Sequence, residues 1–246
     1  MQSKLILDTG NIQLWRGDVH SLDMLSDDSV DLVVTSPNYN LGKMRAHNWN
    51  PMWYLDCEDA MPEGEYQEDQ ILVLKELYRV TKLGGALALN HKVRHFDYET
   101  YHPLTWISKT PWYLVQEIIW ERPGTVNHFN GRFVDETERV YWLFKGLPSR
   151  KNPPYFNKEC AEWKTIWRIK PESNRDLDHP APFPVALPYK CIEALSKEND
   201  LILDPYLGSG STLVAAKMLK RKGVGVDISE KYLEDTKLRL EQQTTW

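Results

Sequence analysis

The 246-residue sequence has few cysteines, no long apolar run and no excess of positive charge. Its three cysteines, Cys57, Cys160 and Cys191, lie far apart, which excludes a disulfide framework and a CxxC metal site. No 18-residue apolar stretch or signal-peptide pattern occurs. We therefore expect a cytoplasmic protein that binds no metal. The formal charge of -5 does not indicate a nucleic-acid partner, so any positive surface for DNA must be local.

Charge is distributed unevenly along the chain. Residues 56–69 contain seven acidic residues and no basic one, whereas residues 145–175 contain eight basic and three acidic residues. The basic stretch is also irregular in composition, with several prolines and with Trp163 and Trp167, as is typical of an inserted loop region. A solvated surface insertion explains it equally well. The two tryptophans, spaced by four, suit either a packed helical face or stacking groups.

Short apolar runs alternate with helical patterns through most of the chain. We predict a helix over 68–82, stopped by Gly84-Gly85, and the carboxyl-terminal part is the most regular. The predicted strands are 30–34, 86–89, 117–120, 140–144, 201–203 and 223–226, and the later helices are 211–219 and 230–240. This alternation predicts a single α/β domain over residues 1–246, built on a doubly wound, mostly parallel sheet.

The strongest local signal is the glycine-rich segment from Asp204 to Thr212, which follows a predicted strand and opens a helix. Asp227 ends the next strand 23 residues later, close to the spacing at which an acid accepts hydrogen bonds from ribose hydroxyls. The loop contains no lysine and is not a phosphate-binding P-loop. Asp204 would repel phosphates but accept hydrogen bonds from an ammonium group. These features indicate an adenosine-bearing ligand such as S-adenosylmethionine; an ordinary strand-helix turn is the alternative.

A second polar loop, Thr35-Ser36-Pro37-Asn38-Tyr39-Asn40, follows the strand predicted at 30–34. Alone it suits an ordinary turn. Ligands of open parallel sheets bind beyond the carboxyl ends of the strands, so we expect both loops at the same edge of one sheet.

Together these segments resemble the amino-group DNA methyltransferases, in the permuted order where the catalytic motif precedes the cofactor motif. The family motif (D/N/S)-P-P-(Y/F) is matched by Ser36 to Tyr39, and D-P-F-x-G-S-G-T-T is matched by Asp204 to Thr212. Gly17-Asp18 and the segment 179–184 are further echoes. Two departures are Asn38 in place of the second proline and Tyr206 in place of phenylalanine. The resemblance covers nearly the whole chain outside residues 146–178.

The resemblance implies the Rossmann-like fold of class I methyltransferases, S-adenosyl-L-methionine as cofactor and double-stranded DNA as substrate. It also implies a target-recognition insertion at 145–178. The implied catalytic residues are Ser36, Pro37, Asn38 and Tyr39. The implied cofactor-binding residues are Asp18, Phe183, Asp204, Pro205, Gly208, Ser209, Gly210, Thr212 and Asp227. Basic residues near the catalytic loop and in the insertion are candidates for DNA contact: Lys43, Arg45, Arg150, Lys151, Lys164 and Arg168.

The chemistry of amine methylation gives the catalytic loop a physical task. The lone pair of an exocyclic amine is delocalised into its base, so hydrogen-bond acceptors such as Ser36 and Pro37 would help the nitrogen to pyramidalise. The base must be flipped out of the duplex, and Tyr39 can stack on it. Attack at cytosine C5 is excluded because no Pro-Cys pair occurs.

Serine at the first catalytic position is more typical of N4-cytosine members of the family, so we expect cytosine N4 as the target. Adenine N6 is the alternative within the same chemistry. A cofactor-binding or DNA-binding protein without activity is an alternative of another class, and an RNA substrate is a third. The resemblance also implies a restriction-modification system, with a restriction endonuclease as a functional partner.

Overall fold

The computed structural model describes residues 2–41, 59–96, 98–123, 131–171 and 183–242. The strands are β1 (Lys4–Asp8), β2 (Ile12–Arg16), β3 (Val30–Thr35), β4 (Thr81–His91), β5 (Arg94–Phe96), β6 (Glu99–Tyr101), β7 (Tyr113–Glu121), β8 (Thr137–Phe144), β9 (Ile166–Arg168), β10 (Leu201–Asp204) and β11 (Lys222–Asp227). The helices are α1 (Glu63–Val80), α2 (Leu104–Ile107), α3 (Ala186–Leu195), α4 (Ser211–Met218) and α5 (Glu230–Gln242). Over these ranges, no helix has the length and apolar character needed to cross a bilayer.

Nine strands form one sheet in the order β1-β2-β11-β10-β3-β4-β8-β7-β9, and β5 pairs separately with β6. Strands β2, β11, β10, β3 and β4 are mutually parallel, β8 is antiparallel to both its neighbours, and β9 is parallel to β7. The sheet is therefore mostly parallel, as predicted. The carboxyl ends of β2, β3, β4, β10 and β11 meet along one edge, here called the carboxyl edge, and β8 begins at that same edge.

Helices cover both faces of the sheet. Successive side chains of each central strand point to opposite faces, so each strand packs against helices on both sides. Leu32 and Val34 of β3 pack on the face covered by α3 and α4, whereas Val33 packs on the face covered by α1. Helix α1 contributes Val73, Leu74, Leu77 and Val80, which recur at helical spacing. This double covering buries most residues of β3, β10 and β11 and the second half of β4, and it fixes the position of the loops that leave them.

Helix α1 differs at both ends from the helix predicted over 68–82. It begins at Glu63, directly after Pro62, and ends at Val80 because Thr81 adopts an extended backbone. The pair Gly84-Gly85 lies inside β4 and does not stop the helix, so that part of the prediction was wrong. A Cβ at Gly85 would lie 2.8 Å from the carbonyl oxygen of Asp31, so this glycine permits the close approach of β4 to β3.

Most of the described basic segment is exposed, but a few of its residues anchor it to the sheet and the core. The backbone N–H of Lys145 donates to Gly85 at 2.9 Å, and its Nζ lies 2.8 Å from Asp28. Cys160 and Trp167 are buried in the core on the α3 side. Trp167 belongs to β9, so the two tryptophans do not share a helical face. Both rings instead pack beside Lys190, whose Nζ is 3.7 Å from the ring centroid of Trp163.

Candidate active site

The glycine-rich loop joins the end of β10 to the start of α4 at the carboxyl edge. Gly208 and Gly210 have φ values of 48° and 76°, in the left-handed region that favours glycine. A Cβ at Gly210 would lie 2.4 Å from Cγ2 of Thr236 in α5. Thr236 in turn donates to the Gly208 carbonyl at 3.1 Å. The loop is therefore locked against α5 by a contact that requires glycine.

Asp204 ends β10 as a buried carboxyl group. Its Oδ1 accepts hydrogen bonds from the Thr35 hydroxyl at 2.7 Å and from the backbone N–H of Tyr206 at 3.2 Å. Burial raises the pKa of the Asp204 carboxyl to about 6, although bonds from Thr212, Thr35 and Tyr206 oppose that rise. A buried carboxylate of this kind is stabilised by a cation, which its described partners do not supply.

Asp227 ends the neighbouring strand β11 and organises the same loop. Its Oδ2 accepts from the backbone N–H of Gly208 at 2.9 Å, and its Oδ1 accepts from that of Ser229 at 2.9 Å. The Asp227 carbonyl oxygen accepts from the N–H of Gly17 at 3.0 Å, which brings Asp18 to this edge. Three acidic residues thus follow or end three adjacent strands, as the sequence motifs predicted.

Asp18 is joined to helix α1 through a histidine that sequence reasoning did not single out. The two ring nitrogens of His20 lie 2.6 Å from Asp18 and 2.7 Å from Asp69. The hydrogen bond to Asp69, together with that to Asp18, raises the pKa of His20 to about 9 despite partial burial. His20 is therefore protonated at neutral pH and bridges two carboxylates. The spacing of the three residues in sequence gives no signal of this bridge.

The catalytic-motif loop leaves β3 and is held in one shape. The Ser36 Oγ lies 2.8 Å from the Tyr39 hydroxyl. The carbonyl of Asn38 accepts from the Tyr66 hydroxyl at 2.9 Å, and the Asn40 side chain makes two bonds to the backbone of Met61. These contacts replace the restraint that a second proline would give, since Asn38 lacks a fixed φ.

Two buried polar residues beneath this loop were missed by sequence reasoning. The Asn90 Oδ1 accepts hydrogen bonds from Ser36 at 3.2 Å and from the Tyr39 hydroxyl at 2.7 Å. The Tyr39 hydroxyl also lies 3.0 Å from Glu138 Oε2, and Glu138 Oε1 is 2.8 Å from Nη1 of Arg122. Asn90 comes from the end of β4 and Glu138 from the start of β8.

His91 supports the Tyr39 ring from below. The centroids of the two rings are 4.6 Å apart, and the rings are tilted by 39°. His91 donates from Nδ1 to the Lys92 carbonyl at 2.8 Å, so its Nε2 is an acceptor. Nε2 lies 2.7 Å from the Tyr66 hydroxyl, whose single proton is shared between His91 and the Asn38 carbonyl. Complete burial lowers the pKa of His91 to about 3. The histidine is therefore neutral and held in place, and the Tyr39 ring packs against it.

The two loops are directly joined. Besides the bond from Thr35 to Asp204, the Thr212 hydroxyl donates to the carbonyl of Val34 at 3.4 Å. Strands β3 and β10 are parallel neighbours, with Leu32 opposite Ile202 and Val33 opposite Leu203. The arrangement therefore places a glycine loop with buried acids beside a loop that carries a serine, a carbonyl-bearing proline and an aromatic ring.

Comparison with known proteins identifies this arrangement. The sequence profile of the N6/N4 DNA methylase family matches residues 30–238, which include both loops. The chain belongs to this family. The protein is therefore a DNA methyltransferase of the class that acts on the amino groups of bases. Its fold is the class I methyltransferase fold, as the motifs predicted.

The relatives of this methyltransferase include Type II methyltransferases. The chain is 28% identical to methyltransferase M.HpaI of Haemophilus parainfluenzae, covering 92% of this chain and 72% of that one. It is 29% identical to M.ScaI of Streptomyces caespitosus, covering 96% and 83%. Among solved structures, the cytosine-N4-specific PvuII DNA methyltransferase superposes with a TM-score of 0.76 at 19% identity, over 97% of this chain and 89% of that one. The M1.HpyAVI–SAM complex gives a TM-score of 0.61 at 22% identity, over 93% and 99%.

The remaining predicted site residues of the methyltransferase fall in different places. Phe183 packs edge-on to Trp120 with ring centroids 6.4 Å apart, on the α3 side of the sheet. Pro205 and Ser209 are buried within the glycine-rich loop. Lys43 and Arg45 lie outside the described residues.

The basic residues predicted for DNA contact are separated by the topology. Arg168 ends β9, level with the end of β7, and its Nε is 3.0 Å from Glu121. Lys164 precedes β9. Strand β8 runs away from the carboxyl edge and ends at the opposite edge of the sheet. Arg150 and Lys151 follow β8 and therefore lie beyond that opposite edge. All four are exposed.

Proposed function

We propose that this DNA methyltransferase transfers a methyl group from S-adenosyl-L-methionine to the N4 amine of a flipped cytosine. The observation that carries the proposal is the position of the Ser36 hydroxyl, which Tyr39 and Asn90 orient. Ser36 directly follows β3, and β3 is the neighbour of β10, the strand that ends at Asp204. Serine at this position is the feature by which the catalytic loop resembles the N4-cytosine members of the family.

The acidic groups of the carboxyl edge fit the proposed cofactor. S-adenosyl-L-methionine supplies a methyl group bound to a positively charged sulfur, and it also carries an ammonium group and a ribose diol. Asp204 is buried and its carboxyl group, with a pKa of about 6, gains from a neighbouring ammonium. Asp227 bonds to the glycine-rich loop through Oδ2 and to Ser229 through Oδ1, and a carboxylate can accept several hydrogen bonds, including those of a ribose hydroxyl. The lack of lysine in the loop agrees with a ligand without phosphates.

The catalytic loop then acts on the amine of the base. The hydroxyl proton of Ser36 is directed to Asn90 or Tyr39, so its lone pairs are available to an amine N–H. The Pro37 carbonyl is the second acceptor. The amine nitrogen gains positive charge as it attacks the methyl carbon, and the two fixed oxygens stabilise that charge more than they stabilise the flat ground state.

Tyr39 supports the flipped base in this proposal. An extrahelical base loses its stacking neighbours in the duplex, and an aromatic ring restores about 1–3 kcal/mol of stacking. The Tyr39 ring is fixed before the base arrives, because it packs against His91 and its hydroxyl lies within hydrogen-bonding distance of Asn90 and Glu138. A fixed ring loses less conformational entropy on binding than a mobile one.

The decisive experiment is nucleoside analysis of DNA treated with the purified protein and labelled S-adenosyl-L-methionine. We expect N4-methylcytosine. N6-methyladenine instead would contradict the choice of base while retaining the chemistry. Intact cofactor binding with no transfer to mixed-sequence DNA would indicate a binding protein, and competition by RNA tests an RNA substrate.

The variant Ser36→Ala provides the internal control for that experiment. It removes the oriented hydroxyl but leaves Asp204 and the glycine-rich loop unchanged, so transfer should fall while cofactor affinity is retained. The same protein should protect its recognition sites from a cognate restriction endonuclease, as expected for a restriction-modification enzyme.

A further inference from the structure

We infer that Glu138 is the final acceptor of the proton that the target amine releases, reached through the hydroxyls of Ser36 and Tyr39. This inference rests on the proposed function, because it needs an amine at Ser36. It gives the Tyr39 hydroxyl a role beyond stacking and gives a role to an acidic residue on β8 that lies outside both sequence motifs.

The path consists of three oxygen atoms at hydrogen-bonding distance. Ser36 Oγ is 2.8 Å from Tyr39 Oη, and Tyr39 Oη is 3.0 Å from Glu138 Oε2. Glu138 is only 4% exposed, so bulk water does not compete at its carboxylate. The chain of hydroxyls therefore connects the amine-binding position to a buried carboxylate through side chains alone.

Asn90 is a positioning residue in this path and does not take the proton. Its Nδ2 donates to the Arg139 carbonyl at 3.0 Å, which fixes the amide so that Oδ1 faces Ser36 and Tyr39. An amide oxygen accepts hydrogen bonds but is far less basic than a carboxylate. Asn90 thus holds the two hydroxyl oxygens in place before the reaction. Each hydroxyl has one proton, so for the transfer Ser36 turns its proton from Asn90 to Tyr39 Oη, and Tyr39 turns its proton from Asn90 to Glu138.

The proposed step balances in atoms and charge. The amine nitrogen forms a bond to the methyl carbon while the bond from sulfur to that carbon breaks, and the sulfur keeps the electron pair. The methylated nitrogen passes one proton to Ser36 Oγ, Ser36 passes its proton to Tyr39 Oη, and Tyr39 passes its proton to Glu138. Ser36 and Tyr39 end neutral, and Glu138 ends as a carboxylic acid.

Arg122 forms an ion pair with the carboxylate of Glu138. Its Nη1 lies 2.8 Å from Oε1, on the oxygen that does not face Tyr39. The paired carboxylate is a sufficient base, because an aminium nitrogen conjugated to a base ring is much more acidic than a carboxylic acid. The arrangement gives the two carboxylate oxygens different tasks: one holds the ion pair and the other receives the proton.

Two conservative variants test the path. Tyr39→Phe keeps the aromatic ring but removes the connecting hydroxyl, and Glu138→Gln keeps size and an acceptor oxygen but cannot take a proton. Each should lower the single-turnover rate of methyl transfer by about 100-fold, with unchanged affinity for S-adenosyl-L-methionine and DNA. The wild-type rate should show a solvent deuterium isotope effect that both variants lose. The double variant should be no slower than the slower single variant.

Glu117→Gln is the matched control. Glu117 lies on β7 and pairs with Arg139 of β8 at 3.0 Å, so this change breaks another Arg–Glu ion pair that involves β8. It should leave the transfer rate and the isotope effect unchanged.

The outcomes distinguish the inference from the proposed function. Wild-type rates in both path variants overturn the inference alone, and so does a slower rate with an unchanged isotope effect, which would assign Glu138 a structural role. Absence of transfer by the wild-type protein overturns the proposed function instead. Because Tyr39→Phe leaves no charge unpaired, it remains informative if Glu138→Gln unfolds.

Discussion

The hydroxyl of Thr35 donates a 2.7 Å hydrogen bond to the carboxylate of Asp204. Both residues are buried, and they lie at the ends of neighbouring parallel strands that are 169 residues apart in the chain. The bond therefore links the catalytic-motif loop to the glycine-rich loop at the point where each loop leaves its strand. A change in either loop is transmitted to the other through this contact.

Replacing Thr35 by valine tests this link. Thr35→Val keeps the shape but removes a donor to a buried carboxylate, a bond worth about 1.5–3 kcal/mol. We expect cofactor affinity, measured by calorimetry, to fall about tenfold or more. Thr81→Val is the control, since its hydroxyl is equally buried but bonds to the Leu77 carbonyl. Equal affinity loss in both variants would contradict the role of the link.

The buried Asp204 should make cofactor binding depend on pH. Its carboxyl has a pKa of about 6, so acidification below that value neutralises the group that we propose binds the ammonium of the cofactor. Affinity should therefore fall as the pH drops from 7 to 5. Asp204→Asn should bind weakly at both values, with a smaller pH dependence. Calorimetry at several pH values provides the measurement.

The same residue affects stability in the opposite direction. The folded pKa of Asp204 is above its ordinary value of 3.8, so the folded protein binds more protons than the unfolded chain between these values. The contribution of Asp204 to the stability of the cofactor-free protein should decrease as the pH rises from about 4 to 6. The difference in the free energy of unfolding between wild type and Asp204→Asn isolates this contribution.

His20 should stabilise the protein at neutral pH and not at alkaline pH. Its pKa is raised from 6.5 to about 9 by Asp69 and Asp18, so its contribution is fully present below 6.5 and is lost as the pH rises through 9. The melting temperature of His20→Gln should be below that of wild type at pH 6, and the two values should converge by pH 10. A constant difference across this range would contradict the charged bridge.

Gly210 should tolerate no side chain. Gly210→Ala adds a Cβ 2.4 Å from Thr236 at a φ of 76°, whereas Gly84→Ala meets nothing within 4 Å at a φ of 87°. The Gly84 variant should lose only the backbone cost of about 1–2 kcal/mol. The Gly210 variant should lose more stability in chemical unfolding and should also bind cofactor less well. Similar losses in the two variants would show that the contact with Thr236 relaxes freely.

The position of Arg168 at the carboxyl edge predicts a contact with DNA phosphate. Arg168→Gln should weaken DNA binding and reduce the slope of log affinity against log salt by about one. Lys151→Gln removes an equally exposed charge that follows β8 beyond the opposite edge and should change the slope less. A larger effect of Lys151 would place the duplex on a different surface.

The sequence motifs placed Asp204 and Asp227 at strand ends and the glycine-rich loop directly after a strand, and the structure has them there. Their meeting at one edge was predictable because parallel strands that lie side by side end at the same edge. Asn90 and Glu138 could not be located in this way. Their approach depends on the antiparallel register of β4 and β8, in which Asn90 pairs with Val140 and His91 pairs with Arg139. No local pattern specifies that register, and Glu138 lies at the beginning of a strand. The start of helix α1 was misplaced because its first turn is rich in acidic residues and has few apolar ones.

The strand order also constrains how the protein is made. Strands β2 and β3 are not neighbours in the sheet, because β11 and β10, which are synthesised last, lie between them. One edge of β2 and one edge of β3 therefore stay without their native partners on the ribosome until residues 201–227 emerge. The nascent chain is exposed to mispairing during that time, and the cofactor loop arrives with the strands that close the gap. Chains that stop before β10 consequently lack both a finished sheet and the glycine-rich loop.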